Sequence, residues 1–302
     1  MIWRCRELAF DFGGRARVMG VLNLTPDSFS DGGRFMDPAA ALAHARGMIR
    51  EGAEMIDLGA ESTRPGSAAV PADEQWRRLE PVLGPLVAEL RGPLAGEARG
   101  ADPGAAGEPA RTAVALSIDT SSAEVAGRAL EAGAHVINDV TALGEPRMAE
   151  VIARAGAGVV LMHMRGTPAT MQADPHYEDV AREVAAWLAG RLERAALAGI
   201  AAERIALDPG IGFGKTTRHN LELIARLREL AALGRPIVVG ASRKRFLGEI
   251  TGKPVDERLA AGLAAVAIAA FEGASVIRTH DVAATARAIA VARALREAAR
   301  SE

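Results

Sequence analysis

Nine side chains along this sequence stand at or just past the end of a short apolar run: Asn23, Asp57, Asp119, Asn138, Met162, Asp208, Lys244, Arg278 and His280. Most of them sort into two chemistries. Asp119, Asn138 and Asp208 offer carboxylates and an amide, a set suited to a neutral heterocycle with several N–H edges, because paired N–H groups satisfy a carboxylate bidentately. Arg278, His280 and Asn23, joined by Arg64 from the polar loop after Gly59, suit an anion such as a phosphate or pyrophosphate, with Asn23 an oxygen ligand for Mg2+. Each residue also has a plainer reading. Arg64 fits a solvated loop charge, His280 a helix cap, Asp57 structural hydrogen bonds at a sheet rim, and Met162 packing. Convergence of the whole set carries the functional reading.

Convergence requires a scaffold that brings separated strand ends together. The stretch Leu207-Asp208-Pro209-Gly210-Ile211-Gly212-Phe213-Gly214-Lys215 shows the pattern most clearly. An apolar run ends on a carboxylate and breaks into a Pro/Gly loop, which reads as a buried strand leaving the core. Glycines 210, 212 and 214 let backbone N–H groups approach a ligand. The same punctuation follows Val18–Asn23, Met55–Gly59, Val114–Asp119, His135–Asp139, Gly158–Met164, Pro236–Gly240 and Ser275–Arg278. Asp37-Pro38 reads as an N-cap and first helical residue, and Thr120-Ser121 as a cap for the helix after the third strand. Helical spacing recurs near 73–90, 180–198, 217–232, 256–272 and 281–299. Ahead of these units, residues 2–12 and 15–19 read as a hairpin turning at Gly13-Gly14.

About eight strands alternating with about eight helices imply a parallel sheet with right-handed crossovers, closed at this count into a (β/α)8 TIM barrel of class α/β with a short N-terminal β-hairpin. An open doubly wound sheet would place a G-x-G-x-x-G turn after its first strand, and here that strand ends Asn23-Leu24-Thr25. The chain of 302 residues is 49% hydrophobic, enough for one large barrel core over residues 1–302. Residues 91–111 differ in kind, since 14 of the 21 are Gly, Ala or Pro. They read as a flexible surface insertion. A net charge of −2 supplies no basic field for nucleic acid. Cys5 is the only cysteine and has no acid–base neighbour, so it reads as inert. No N-terminal apolar stretch suits a signal or membrane anchor, and the expected setting is cytoplasmic.

Seven separated stretches resemble one family. Asn23-Leu24-Thr25-Pro26-Asp27-Ser28-Phe29-Ser30-Asp31-Gly32-Gly33 and Gly59-Ala60-Glu61-Ser62-Thr63-Arg64-Pro65-Gly66 closely resemble the two signature stretches of the dihydropteroate synthases. Ser117-Ile118-Asp119-Thr120, Ile137-Asn138-Asp139, Asp208 to Lys215, Ser242-Arg243-Lys244 and Arg278-Thr279-His280-Asp281 follow in the family's order. The resemblance spans about 18 to 295. It implies condensation of 6-hydroxymethyl-7,8-dihydropterin pyrophosphate with 4-aminobenzoate, giving 7,8-dihydropteroate and pyrophosphate, in a Mg2+-dependent homodimer of the folate pathway. By position it makes Asp119, Asn138, Asp208 and Lys244 pterin contacts, with Asp208, Lys244 and Asp119 the catalytic set. Thr63, Arg64, Arg278 and His280 would hold pyrophosphate, with Asn23 on Mg2+. Phe29, Pro65, Phe213, Lys244 and Ser242 would border the aminobenzoate.

Two features depart from the family: Thr279 replaces a usually apolar residue, and the 91–111 insertion is unusual. The loop over 24–33 is expected to be mobile and to close with Phe29 against the aminobenzoate ring. A corrinoid-dependent methyltransferase barrel would share the Asp/Asn set but needs no cluster of Asn23, Arg64, Arg278 and His280. An inactive pterin-binding relative would have lost a member of that cluster or of the loops, and all are present.

Overall fold

A computed structural model describes residues 1–25, 37–62, 69–91 and 113–299. The loop stretches 26–36 and 63–68, which carry Phe29, Thr63, Arg64 and Pro65, lie outside the described residues, as does the insertion beyond Arg91.

Strands β1 (Ile2–Cys5) and β2 (Leu8–Asp11) form an antiparallel hairpin. Eight strands follow: β3 (Arg17–Asn23), β4 (Met55–Gly59), β5 (Ala115–Asp119), β6 (Val136–Asp139), β7 (Gly158–Met162), β8 (Ile205–Asp208), β9 (Val238–Val239) and β10 (Val276–Thr279). They pair in parallel in the order β8-β7-β6-β5-β4-β3-β10-β9. A parallel bridge between Leu207 and Ile237 then joins β8 to the segment entering β9. The ring closes there, giving the expected (β/α)8 barrel.

Period-two alternation explains why these short runs build it. Ile56, Leu58, Leu116, Ile118, Ile137, Val159, Leu161, Leu207 and Val239 face outward into the layer under the helices. The opposite faces supply one inner residue per strand: Met19, Met55, Ala115, Val136, Val160, Ala206, Val238 and Val276. Trp3, Cys5 and Phe10 of the hairpin pack on this inner ring and stopper the end of the barrel opposite the strand ends discussed above. The hairpin turns at Arg6-Glu7, not at Gly13-Gly14 as expected. Its register pairs Trp3 with Phe10, so both rings lie over the barrel floor. Arg6 adopts a left-handed φ of 59° and is held there by bonds to the carbonyls of Leu130 and Ala134. Gly13-Gly14 carries the chain onward to β3. Cys5 is fully buried, and burial raises its thiol far above the ordinary range, in keeping with an inert residue.

The helices are α1 (Pro38–Arg50), α2 (Ala72–Arg91), α3 (Ala123–Ala132), α4 (Met148–Ala155), α5 (Val180–Leu197), α6 (Thr217–Ala225), α7 (Leu227–Ala231), α8 (Arg245–Thr251), α9 (Leu259–Phe271) and α10 (Val282–Ala298). Asp37 caps α1 by accepting from Ala39 N–H, with Pro38 at its start. The cap of α3 is Ser122 rather than Thr120-Ser121, because the Thr120 hydroxyl donates instead to Gln75 of α2. The helix expected over 217–232 breaks at Arg226, whose guanidinium reaches Asp179 at 3.0 Å and Glu229 at 2.7 Å. No helix among the described residues is long and apolar enough to cross a membrane.

Candidate active site

Parallel register sets the first row of the site. Asn23 lies opposite Gly59, Gly59 opposite Asp119, and Asp119 opposite Asn138, so four adjacent strands end in one line. Gly59 leaves a gap in that line. A Cβ there would sit 3.6 Å from Asn23 Oδ1 and 3.9 Å from Asp119 Oδ2. This fits a hard cation, which takes oxygen ligands and keeps several waters. Asn23 is the residue that could anchor Mg2+, although no group of three His, Cys, Asp or Glu among the described residues forms a protein-only metal cage. A single protein oxygen suits an ion carried mainly by the phosphates of a substrate.

One layer deeper, Asp57 is fully buried. It accepts from Ser117 Oγ at 2.5 Å, Asn138 Nδ2 at 3.0 Å and Arg278 Nε at 2.7 Å. The expected structural role is thus present, but it also aims two candidate binding residues. Arg278 Nη2 continues to Asp119 Oδ2 at 2.9 Å. Asp119 Oδ1 is buried with no hydrogen-bond partner among the described residues. Burial pushes Asp119 up to about 7, and the nearby Arg278 only partly opposes it. A buried acceptor left open at a cavity wall is a demand for a donor from a ligand.

Asp208 ends β8, with its carboxylate accepting from Gly210 N–H at 2.6 Å. Burial raises its pKa, opposed by that bond and by Lys244. Gly210 is required at this turn. It has φ +68°, and a Cβ would fall 1.8 Å from the His163 carbonyl oxygen. The loop then presents Phe213, whose ring centroid lies 4.1 Å from Lys244 Nζ. Burial lowers Lys244 to about 8, with Arg278 adding to the effect and Asp208 resisting it. The loop after β7 braces this turn: Gln172 donates to Gly212 O at 2.9 Å and Tyr177 to Gly214 O at 2.9 Å. Lys215 is buried between the two loops.

Ser242 Oγ and His280 Nδ1 are 3.1 Å apart, and Arg243 forks onto Asp281 at 2.8 and 3.3 Å. Burial and then Arg278 lower His280 to about 4, leaving it neutral near pH 7. Thr279 shares a 3.0 Å bond with Thr285 and accepts from Asp281 N–H. Its hydroxyl faces α10 rather than the barrel interior.

Asp119, Asn138, Val140, Met162, Asp208, Ile211, Phe213, Gly240, Lys244 and Arg278 line one open cavity at the strand ends. Seven of these were singled out in the sequence as individual residues: Asp119, Asn138, Met162, Asp208, Phe213, Lys244 and Arg278. Ser242, His280 and Asn23 stand beside the cavity rather than in its wall. Val140, Ile211 and Gly240 were missed because an apolar residue or glycine just past a strand carries no chemical mark. Lys215 and Gln172 were missed although polarity could have flagged them, since each lies in a loop beside a strand end.

The pterin-binding enzyme family matches the chain over residues 19–95 and 103–280. The dihydropteroate synthase of Escherichia coli K12 is 43% identical over 277 residues, covering 92% of this chain and 90% of that protein. A Yersinia pestis dihydropteroate synthase structure with a sulfonamide drug complex superposes with a TM-score of 0.87 at 41% identity, covering 98% of this chain and 100% of that one. One from Xanthomonas albilineans in complex with 7,8-dihydropteroate gives 0.81 at 40% identity, covering 98% and 99%. The chain therefore belongs to the pterin-binding enzyme family, in its dihydropteroate synthase branch.

Proposed function

We propose that this chain condenses 6-hydroxymethyl-7,8-dihydropterin pyrophosphate with 4-aminobenzoate, and that the strand-end cavity is where it does so. The observation that carries the residue assignment is the open Asp119 Oδ1, buried beside Asn138 and Asp208 in a cavity wall with no donor among the described residues. The amino-pyrimidine edge of a pterin supplies N–H donors of the kind that oxygen lacks.

In this reading Asp119, Asn138 and Asp208 bind and orient the pterin. Lys244 and Arg278 face the same space, so they place positive charge where the C–O bond to pyrophosphate breaks. The electron pair leaves with the pyrophosphate, and the positive charge left on the methylene spreads into the pterin. Asp208 stabilises that charge through a carboxylate already fixed by Gly210 N–H. The arylamine nitrogen then attacks from the side of Phe213 and Lys244 and afterwards loses its proton. Arg64, Thr63 and His280 complete the pyrophosphate site, and Phe29, Pro65 and Ser242 border the arylamine. Asn23 would hold Mg2+, which supplies charge neutralisation on the leaving group.

A homodimer in the cytoplasm is part of the proposal. Helix α9, LAAGLAAVAIAAF, carries no charged or hydrogen-bonding side chain, yet Leu259 and Ile268 are exposed. A helix apolar all round is expected to be covered on both sides. The reaction is tested by mixing the protein with both substrates and Mg2+ and following pyrophosphate. Release that requires 4-aminobenzoate supports the proposal. Absence of release contradicts it.

A further inference from the structure

The buried Lys215 has no part in the mechanism just described, and its surroundings are specific. Its Nζ meets three acceptors: His163 Nδ1 at 3.0 Å, the His163 carbonyl at 3.4 Å and the Phe213 carbonyl at 3.0 Å. Only 3% of the residue is exposed. Burial lowers Lys215 to about 7, with Asp208 resisting, and a buried ammonium is costly unless its protons are all placed; here each has an acceptor. Burial, followed by Lys215 itself, lowers His163 to about 3, so its imidazole is neutral, and its Nε2–H tautomer leaves Nδ1 to accept from Lys215.

The three bonds do different things. Those to His163 anchor the lysine to the end of β7, where His163 N–H already holds the Asp208 carbonyl at 2.9 Å. The bond to Phe213 reaches forward into the loop and fixes the backbone that carries the ring beside Lys244. The neighbours of Phe213 are held as well, with Gly212 N–H on Asn220 at 2.7 Å. Asp208 has geometric fixings of its own, a carboxylate bond to Gly210 N–H and the strand pairing of its backbone, and Lys215 bears on it only through charge.

We infer that Lys215 is a positioning residue for the arylamine wall: it ties Phe213 to the end of β7, so that the ring stands ready beside Lys244 while the pterin edge is set by other contacts. This rests on the proposed reaction, in which Phe213 borders 4-aminobenzoate.

The test is calorimetric titration of Lys215→Met, which keeps the volume and removes the donors. With pyrophosphate and Mg2+ present, 4-aminobenzoate should bind about tenfold more weakly, the scale of one lost buried hydrogen bond, while 6-hydroxymethyl-7,8-dihydropterin changes by less than about twofold. The loss should be non-additive with Phe213→Leu, because both variants remove one wall. A general loss of packing would weaken both ligands and add to the Phe213 effect. Equal weakening of both ligands, unchanged binding, or additivity with Phe213→Leu overturns the inference. Should Lys215→Met not fold by circular dichroism, Lys215→Arg is read by the same criteria, since a guanidinium cannot put one nitrogen among three acceptors. Wild-type pyrophosphate release, measured separately, reports on the reaction itself and not on Lys215.

Discussion

Arg278 Nε lies 2.7 Å from Asp57 Oδ2, linking residues 221 apart in sequence across the mouth of the barrel. Asp57 takes two further donors, from Ser117 and Asn138, so one carboxylate organises β4, β5, β6 and β10 at once. Arg278 in turn spans Asp57 and Asp119. The candidate binding groups are therefore held by one another before any ligand arrives, which is how a site spends little on reorganisation.

Asp57→Asn tests that link. The substituted amide keeps the shape but turns a donor toward groups that are donors themselves, and it leaves Arg278 short of a counter-charge. Urea unfolding should show a loss of about 3 kcal/mol, the scale of breaking a buried pair. Turnover should fall more than stability alone explains.

Asp208→Asn removes the negative charge that faces the developing cation. Turnover should drop on the order of 10²-fold or more, as when one charge-stabilising group is lost. Steady-state kinetics unchanged from wild type would take Asp208 out of the site.

The pH dependence follows from Asp119, raised to about 7, and Lys244, lowered to about 8. The Asp119 carboxylate accepts ligand N–H groups on both oxygens, with charge assistance, only when ionised, so affinity for 6-hydroxymethyl-7,8-dihydropterin should weaken as pH falls through about 7. Its effect on stability has the opposite sign. A folded pKa above the unfolded value contributes stability at low pH that is lost as pH rises from about 4 to about 7. The Lys244 charge should be lost above about pH 8, giving turnover a falling alkaline limb. Asp119→Asn should flatten the acid limb of binding, and Lys244→Arg, charged throughout, should push the alkaline limb of turnover outward.

The strand ends were legible in the sequence because a barrel writes them plainly. Apolar runs stop on Asn23, Asp119, Asn138 and Asp208, and eight such runs imply a common mouth. What was not legible is which groups neutralise one another. The sequence places Asp57 two residues before the end of its strand, and only register brings it beneath Asn138 and Arg278. Lys215 reads as a loop charge until the loop after β7 is seen to cover it. The hairpin turn was misplaced because Gly13-Gly14 is the stronger local turn signal, while burial of Trp3 and Phe10 on the barrel floor decides the register. The loop residues Phe29, Thr63, Arg64 and Pro65 lie outside the described residues.

Gly59→Ala addresses the gap between Asn23 and Asp119. The added methyl meets its neighbours at 3.6 to 3.9 Å, ordinary contact distances, so the fold should tolerate it. It would occupy the space in which Asn23 could hold a hydrated cation. Titration with pyrophosphate should show wild-type affinity raised by Mg2+ and the variant insensitive to it, with a melting temperature close to wild type. A variant still responsive to Mg2+ would place the cation elsewhere.

In the proposed reaction one cavity joins a pterin methylene to an arylamine as pyrophosphate departs. Incubation with both substrates, using 15N-labelled 4-aminobenzoate, and mass spectrometry of the products tests it most directly. The expected products are labelled 7,8-dihydropteroate in one-to-one ratio with pyrophosphate, and neither product from the Asp208→Asn protein above its residual rate. Pyrophosphate released without labelled pteroate, or no reaction from the wild-type protein, would contradict it.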